Sequence, residues 1–375
     1  MEKWREVRLG DVCEKIDSGA TPKGGKEAYQ EEGISLIRSQ NVLDFEFSAS
    51  GLVYINEEQA SKLKNVCVES DDVLLNITGD SVARACMVDN AVLPARVNQH
   101  AAIIRGKKDI ISNSYILYWL QLQKPYLLML SSGGATRKAL TKQMIEDIVI
   151  PLPDLSEQSR IVKILDDVQD KIQCNIKTNK NLDEQAQAIF KAWFVDFEPF
   201  GGIRPDNWEI LTLGDISIIS AGGDKPLRVS ETLTAEYPYP IYSNGLTNDG
   251  LYGYTNNFKI KEESVTVSAR GTIGFVSLRH IPYTPIVQLI TLIPNIDKVS
   301  AKYLYLWLKN LHIAGTGITQ QQLTVPAFKK TNIWVAPKDI MQSFTDTVHP
   351  LFDKIWKTKQ KIKPCQIYVM HFCHA

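Results

Sequence analysis

Arginine, lysine, asparagine and glutamine gathered on loops can do one kind of chemistry without any catalytic group. Their forked donors and acceptors match the edges of guanine and adenine. Early in the chain Arg38-Ser39-Gln40-Asn41 ends a predicted strand, Asn76, Thr78 and Arg84 flank the next loop, and Asn98-Gln99-His100 precedes a further strand. Thr136, Arg137 and Lys138 follow Gly133-Gly134, a pair that lets the backbone come close to a duplex. The equivalent places later on are Ser243-Asn244, Arg270, and Thr319 with Gln320, Gln321 and Gln322. Lys23, Lys26, Lys142, Arg228, Lys329 and Lys330 suit phosphates, which add affinity without sequence information. Taken singly, each of these side chains is explained equally well as an ordinary solvated residue. The two sets that follow glycines are the stronger candidates.

Chemistry of other kinds is missing. No Asn-Pro-Pro-aromatic run for adenine methylation occurs. The nearest approach to a phosphate loop, ATPKGGKE (20–27), has Ala20 where the first glycine is needed and Glu27 in place of Ser or Thr. The six histidines form no H-E-x-x-H pair. SARGTIG (268–274) runs into more strand rather than a helix, which argues against a dinucleotide turn. Cys13, Cys67, Cys86 and Cys174 stand singly and read as reduced structural thiols. Cys365, His371, Cys373 and His374 crowd the C-terminus at spacings that fit no ordinary zinc site. The expectation is therefore no catalytic residue, no metal and no cofactor on this chain.

With 375 residues there is room for two domains of roughly 150 residues plus connectors. The formal net charge is zero, so no global field draws the chain onto nucleic acid, and any such site is local or assisted by another subunit. No apolar run reaches bilayer length, and MEKWREVRLG lacks the apolar centre of a signal peptide. A cytoplasmic location with no membrane contact is expected.

The loops must be positioned by elements that occur twice. Trp4-Arg5-Glu6-Val7-Arg8-Leu9-Gly10-Asp11 returns as Trp208-Glu209-Ile210-Leu211-Thr212-Leu213-Gly214-Asp215. SNSYILYWLQL (112–122) returns as SAKYLYLWLKN (300–310), TRKALT (136–141) as TQQQLT (319–324), and DIVIPLPDL (147–155) as NIWVAPKDI (332–340). Ordered matches of this kind mark a tandem duplication. Each copy opens with short β-rich runs such as ISLIRSQNV (34–42), DVLLNITG (72–79) or SVTVSARG (264–271), then one clear helix, which predicts a mixed α/β domain.

Between and after the copies run two helices. Ile161, Leu165, Val168, Ile172, Asn175, Asn179, Leu182, Ala186, Ile189 and Trp193 follow one another at alternating steps of four and three, with no proline or glycine between Leu155 and Phe197. Such a helix is on the order of 60 Å long and calls for a partner. Met341, Phe344, Val348, Leu351, Ile355, Thr358 and Ile362 repeat the pattern. The two helices can lie antiparallel, each burying the other's stripe. Asn175 and Asn179 then fix register, unless a phase slip puts Ile176 in the stripe instead. Ser156 with Glu157 and Gln158 is read as the start of the first helix. Pro350 is expected to kink the second, and Lys363-Pro364 to end it, leaving the stripe around Leu182–Trp193 without its partner. The expected division is 1–153 and 199–337 as the two domains, 154–198 and 338–363 as spacer helices, and 364–375 as a divergent tail.

The run AQAIFKAWFVDFEP (186–199), preceded by IPLPDLSEQSRIVKIL (150–165), resembles the central region of type I restriction-modification specificity subunits. The W-x4-LGD openings at Trp4 and Trp208 resemble those of that family's two target recognition domains, and the likeness extends to about Ile362. The ending CQIYVMHFCHA departs from the family pattern. The resemblance implies two α/β target recognition domains separated by a long antiparallel two-helix coiled coil, as a pseudo-two-fold tandem repeat. It implies a non-catalytic chain that reads an asymmetric, two-part target in double-stranded DNA. Docking of two methyltransferase subunits is implied through Ile161, Leu165, Val168, Ile172, Leu182, Ile189, Phe190, Trp193 and Phe194 of the first helix and Phe344, Val348, Leu351 and Ile355 of the second. Restriction-translocase subunits join that core, and S-adenosylmethionine, ATP and magnesium belong to the partners. A truncated or impaired subunit, a protein-binding scaffold with repeated domains, and a methyltransferase in its own right stay open as alternatives.

Overall fold

In the computed structural model of the protein the described residues are 4–22, 24–132, 138–271, 273–311 and 323–371. Two compact units divide the chain: Met1–Cys174 with Lys361–Ala375, and Asn175–Gln360. Each contains one half of the first long helix, so the spacer is part of both cores rather than a separate body.

The first unit holds β1 (Arg5–Arg8), β2 (Cys13–Ser18), β3 (Ile34–Ile37), β4 (Val53–Ile55), β5 (Cys67–Val68), β6 (Val73–Asn76), β7 (Ala85–Met87), β8 (Ala95–Val97), β9 (Ala101–Gly106) and β10 (Val149–Leu152). They form sheets in the orders β1-β10, β2-β9-β6-β7 and β4-β3-β8-β5. Strands β6 and β9 are buried on both faces and so read as unbroken apolar runs. Val73, Leu75, Ala102 and Ile104 share a core with Tyr115, Ile116 and Leu120 of the helix Asn113–Leu122. Leu74, Ala101 and Ile103 face Leu36, Ile37 and Val97 of the second sheet. Cys13 and Cys86 lie in these cores, and burial pushes each thiol up to about 12, which leaves them protonated and unreactive.

The second unit repeats the plan with β11 (Glu209–Thr212), β12 (Ser217–Ala221), β13 (Tyr239–Tyr242), β14 (Leu251–Thr255), β15 (Ser264–Ser268), β16 (Val276–Arg279), β17 (Thr284–Pro285), β18 (Leu289–Pro294) and β19 (Asn332–Val335). Its sheets run β11-β19, β12-β18-β15-β16 and β14-β13-β17. The duplication reaches single hydrogen bonds. Ser112 and Ser300 cap equivalent helices by accepting from the amides of Tyr115 and Tyr303, both at 3.2 Å. The hydroxyls of those tyrosines donate to the carbonyls of Pro151 and Trp334, which hold matching places on β10 and β19. Leu9 and Leu213 are both fully buried, and their amides donate across to Ile148 and Thr331 at 2.8 and 2.9 Å. One layer differs in kind. Where the first unit packs Leu74 and Ile103 between its sheets, the second uses Thr266 and Thr291 in a buried network. There Arg279 Nε donates to Thr266 Oγ1 at 2.9 Å, and Tyr283 bridges Ser264 and Thr291.

The first long helix spans Leu155–Phe194. Asp154, not Ser156, caps it: Asp154 Oδ1 accepts from the Glu157 amide at 2.8 Å, because Pro153 ends the extended segment one residue earlier. Gln158 is fully buried and fully bonded, accepting from the Ser112 amide and donating to the carbonyls of Ile110 and Pro153. In the second unit Phe190, Trp193 and Phe194 meet Phe344, while Asn179 and Asp183 share a cavity with Phe352, Ile355 and Trp356. Moving back along one helix moves forward along the other, so within this unit they are antiparallel. Ala186 and Phe190 are buried there, which corrects the expectation of an uncovered stripe at Leu182–Trp193. In an antiparallel pair that end faces the start of the second helix, whatever the second helix does at its own end. Asn179 is 9% exposed and Ile176 44%, so the asparagines hold the stripe and no phase slip occurs.

The second long helix runs Lys338–His371, through both Pro350 and Pro364. This corrects the expected stop at Lys363. Pro350 and Asp346 are both exposed, so water can reach the Asp346 carbonyl that Pro350 leaves without an amide. Ile362 packs against the core of the first unit. No helix among the described residues is long and apolar enough to cross a membrane.

Candidate nucleic-acid interface

Four loops of the first unit meet beyond the end of β6. Asn76 closes the strand, and its Nδ2 donates to the carbonyls of Ser39 and Val42 at 2.8 and 3.1 Å. The amides of Ile77 and Gly79 donate to the carbonyls of His100 and Lys138, and the Leu140 amide returns to Ile77. The segments around 38–41, 76–84, 98–100 and 138–140 thus share one edge. The sequence placed candidates on all four.

The structure separates those candidates by role. Asn41 and Asn76 are fully buried. Asn41 accepts from the Arg38 amide and donates to the carbonyls of Ser48 and Ser50. Both asparagines are corrected from base readers to internal braces, since a loop of polar backbone must find its hydrogen bonds inside. Arg38 is half-buried and donates to the Gly51 carbonyl at 2.5 Å, and Gln40, although exposed, donates to the same carbonyl at 3.0 Å. They hold the 48–51 turn. Asn98 is buried and accepts from the His100 amide at 2.9 Å, shaping its own turn. Thr78, Arg84, Gln99, His100 and Lys138 are left with surface to present. Arg84 follows Ala83, whose φ of 67° turns the chain sharply at this edge. Thr136 and Arg137 lie outside the described residues.

The second unit builds the same edge from different side chains. Ser268, also fully buried, takes the place of Asn76, and its hydroxyl donates to the Asn244 carbonyl as Asn76 does to that of Ser39. The amide of Ala269 donates to the Gln288 carbonyl, and that of Leu323 to Ala269. Gly79 and Gly271 hold equivalent left-handed positions, at φ 76° and 72°. Asn244 is half-buried and its Nδ2 donates to the Arg270 carbonyl and Gln288 Oε1 at 3.0 and 3.2 Å, tying two loops together. Arg270 is half-buried at the place Thr78 holds in the first unit. Thr319, Gln320, Gln321 and Gln322 lie outside the described residues.

Two glycines brace these edges. A Cβ on Gly19 would fall 1.6 Å from the Val97 carbonyl oxygen, and one on Gly222 would fall 2.1 Å from that of Ile286. Neither position accepts a side chain, and sequence reading missed the pair because the glycines sit in otherwise dissimilar loops. Of the expected phosphate contacts, Lys142 is engaged with Asp17 at 2.9 Å, while Arg228, Lys329 and Lys330 are exposed. Among the described residues no group of histidine, cysteine, aspartate or glutamate could hold a metal ion.

The helix residues expected to dock partners are largely used inside the chain. Ile161, Leu165 and Ile172 are buried in the first unit, with Val168 against them. Phe190, Phe344 and Val348 are buried in the second, with Ile189, Trp193, Phe194, Leu351 and Ile355 packed alongside, and Leu182 is half-exposed. A stripe this apolar closes on its own chain first, because that contact costs no association entropy. Phe194, Phe197 and Phe200 also pack on Trp208, so the aromatic run after the first helix anchors the opening of the second domain.

The duplicated plan is matched by a known family. A family model described as the type I restriction modification DNA specificity domain matches the chain twice, over residues 1–184 and 205–364. The chain belongs to that family. The MjaIX specificity subunit of a type I restriction enzyme from Methanocaldococcus jannaschii is 23% identical, over 96% of this chain and 89% of its own length. The HindI specificity subunit from Haemophilus influenzae is 22% identical over 94% of each chain. The fold is shared with the crystal structure of a type I restriction-modification S subunit from M. genitalium, at a TM-score of 0.58 and 14% identity, covering 99% of this chain and 95% of that one. As a type I specificity subunit, the chain is a non-catalytic component that acts with DNA and other subunits.

Proposed function

We propose that each unit reads one half of a split, asymmetric DNA site, and that the long helices set the gap between the halves. The observation that carries this reading is the repeated edge: the same backbone hydrogen bonds around Ile77 and Ala269, decorated by different side chains. A shared frame makes both edges fit the same kind of ligand, and the different decoration makes the two half-sites differ. The surface of the helix pair docks two methyltransferase subunits, and restriction-translocase subunits join them. S-adenosylmethionine, ATP and magnesium serve those partners, which do the chemistry in the cytoplasm.

Methylome sequencing of cells expressing the chain with its modification subunits tests this directly. The expected result is one asymmetric motif of two short parts around a fixed run of unspecified bases. Changing Arg137 alters the part read by the first unit and leaves the other intact; changing Gln320–Gln322 does the reverse. A continuous or symmetric motif would refute the split reading.

A further inference from the structure

We propose that positions 99 and 287 are homologous base-reading positions, with Gln99 taking adenine through its amide and Val287 taking the methyl group of thymine. This rests on the reading of the two units as half-site readers.

The equivalence is fixed by backbone. The Ala101 amide donates to the Asn98 carbonyl and the Leu289 amide to that of Ile286, both at 3.3 Å. The next carbonyls on the same side, His100 and Gln288, accept from Ile77 and Ala269 at 3.0 and 2.9 Å. Residues 99 and 287 are therefore the same central position of the same turn. Both are exposed, Val287 by 51%.

What differs is the side chain. Gln99 is held at both ends of its amide: Oε1 accepts from the Thr21 hydroxyl, and Nε2 donates to His100 Nε2 at 3.3 Å. In the tautomer with Nδ1 protonated, His100 donates from Nδ1 to Thr78 Oγ1, 2.6 Å away, and its Nε2 is the acceptor that Gln99 meets. Each end of the Gln99 amide keeps one valence: a second N–H, and a second lone pair on Oε1. An adjacent donor and acceptor are what N7 and N6 of adenine require, whereas guanine offers two acceptors and would set O6 against Oε1. The amide carries no charge, so it adds little to the salt-dependent attraction for phosphates that lysine and arginine supply. Val287 offers neither donor nor acceptor. A branched apolar side chain held in water on a polar edge matches the one apolar group in the major groove, the thymine C5-methyl.

The complex with its modification subunits, assayed for methyl transfer on duplexes carrying the wild-type motif, tests the proposal. Gln99→Ala should lower discrimination for adenine at one position of the first part by about 5- to 150-fold. Gln99→Glu should move that preference to cytosine, whose amino group a carboxylate accepts. Deoxyuridine in place of thymine at one position of the second part should weaken the wild-type complex about fourfold, the value of one buried methyl-sized group. Val287→Ser should abolish that sensitivity. Thermal unfolding of the variants checks that these surface changes leave the fold intact. If wild type yields a two-part motif that both Gln99 variants leave unchanged, or uridine has no effect at any thymine, the base assignment falls while the half-site reading stands. If wild type yields no two-part motif, both fall.

Discussion

Glu263 shows how much of the second unit rests on single charged groups. Burial raises its carboxyl, but hydrogen bonds from His280 and Lys302 and the charge of Lys302 outweigh this and hold it down at about 2. Lys302 is only 7% exposed and needs that partner. A carboxylate held below its unfolded value of 4.5 contributes stability that is complete above pH 4.5 and is lost as the pH falls toward 2. Glu263→Gln should therefore lower the unfolding temperature at neutral pH and flatten its decline over that acid range. Parallel Tm-against-pH curves for the two proteins would contradict this. At this scale the sequence was least legible. Asn76 and Arg84 are equally polar as letters, yet one is sealed inside the edge and the other lies on it. Only the strand that ends at Asn76, and the carbonyls of Ser39 and Val42 left facing it, decide between them.

Elements were far more legible, since periodicity reports burial directly. The stripe from Ile161 to Trp193 and its answer from Met341 to Ile362 are the faces that pack. One local rule fails. Proline predicts a stop at Pro364 because it costs about 3 kcal/mol in an isolated helix, but the helix continues to His371. Pro350→Ala restores an amide for the exposed Asp346 carbonyl and should stabilise the second helix by about 1–3 kcal/mol, measured by chemical denaturation. An unchanged midpoint would show that the bond is not regained. Inserting one heptad into the first helix keeps its stripe in phase and adds on the order of 10 Å of rise. The expected methylome retains both parts of the motif with a longer gap. An unaltered gap would remove the helices from the measurement.

On the scale of the whole molecule, the repeat was readable because the residues that recur are those with no substitute. Leu9 and Leu213 fill equivalent cores, and Gly10 and Gly214 lie against Glu146 and Lys329 with no room to spare. The shared hydrogen bonds of Tyr115 and Tyr303 explain why those aromatic letters survived where the loops diverged. What diverged also tells something of how such a protein changes. Gly19 and Gly222, Asn76 and Ser268 bear the architecture from beneath, while exposed side chains such as Lys138 and Val287 stand above them. A lineage can therefore try new letters at the display positions with almost no thermodynamic penalty, and one nucleotide change can give its bearer a different vocabulary in a still-folded protein.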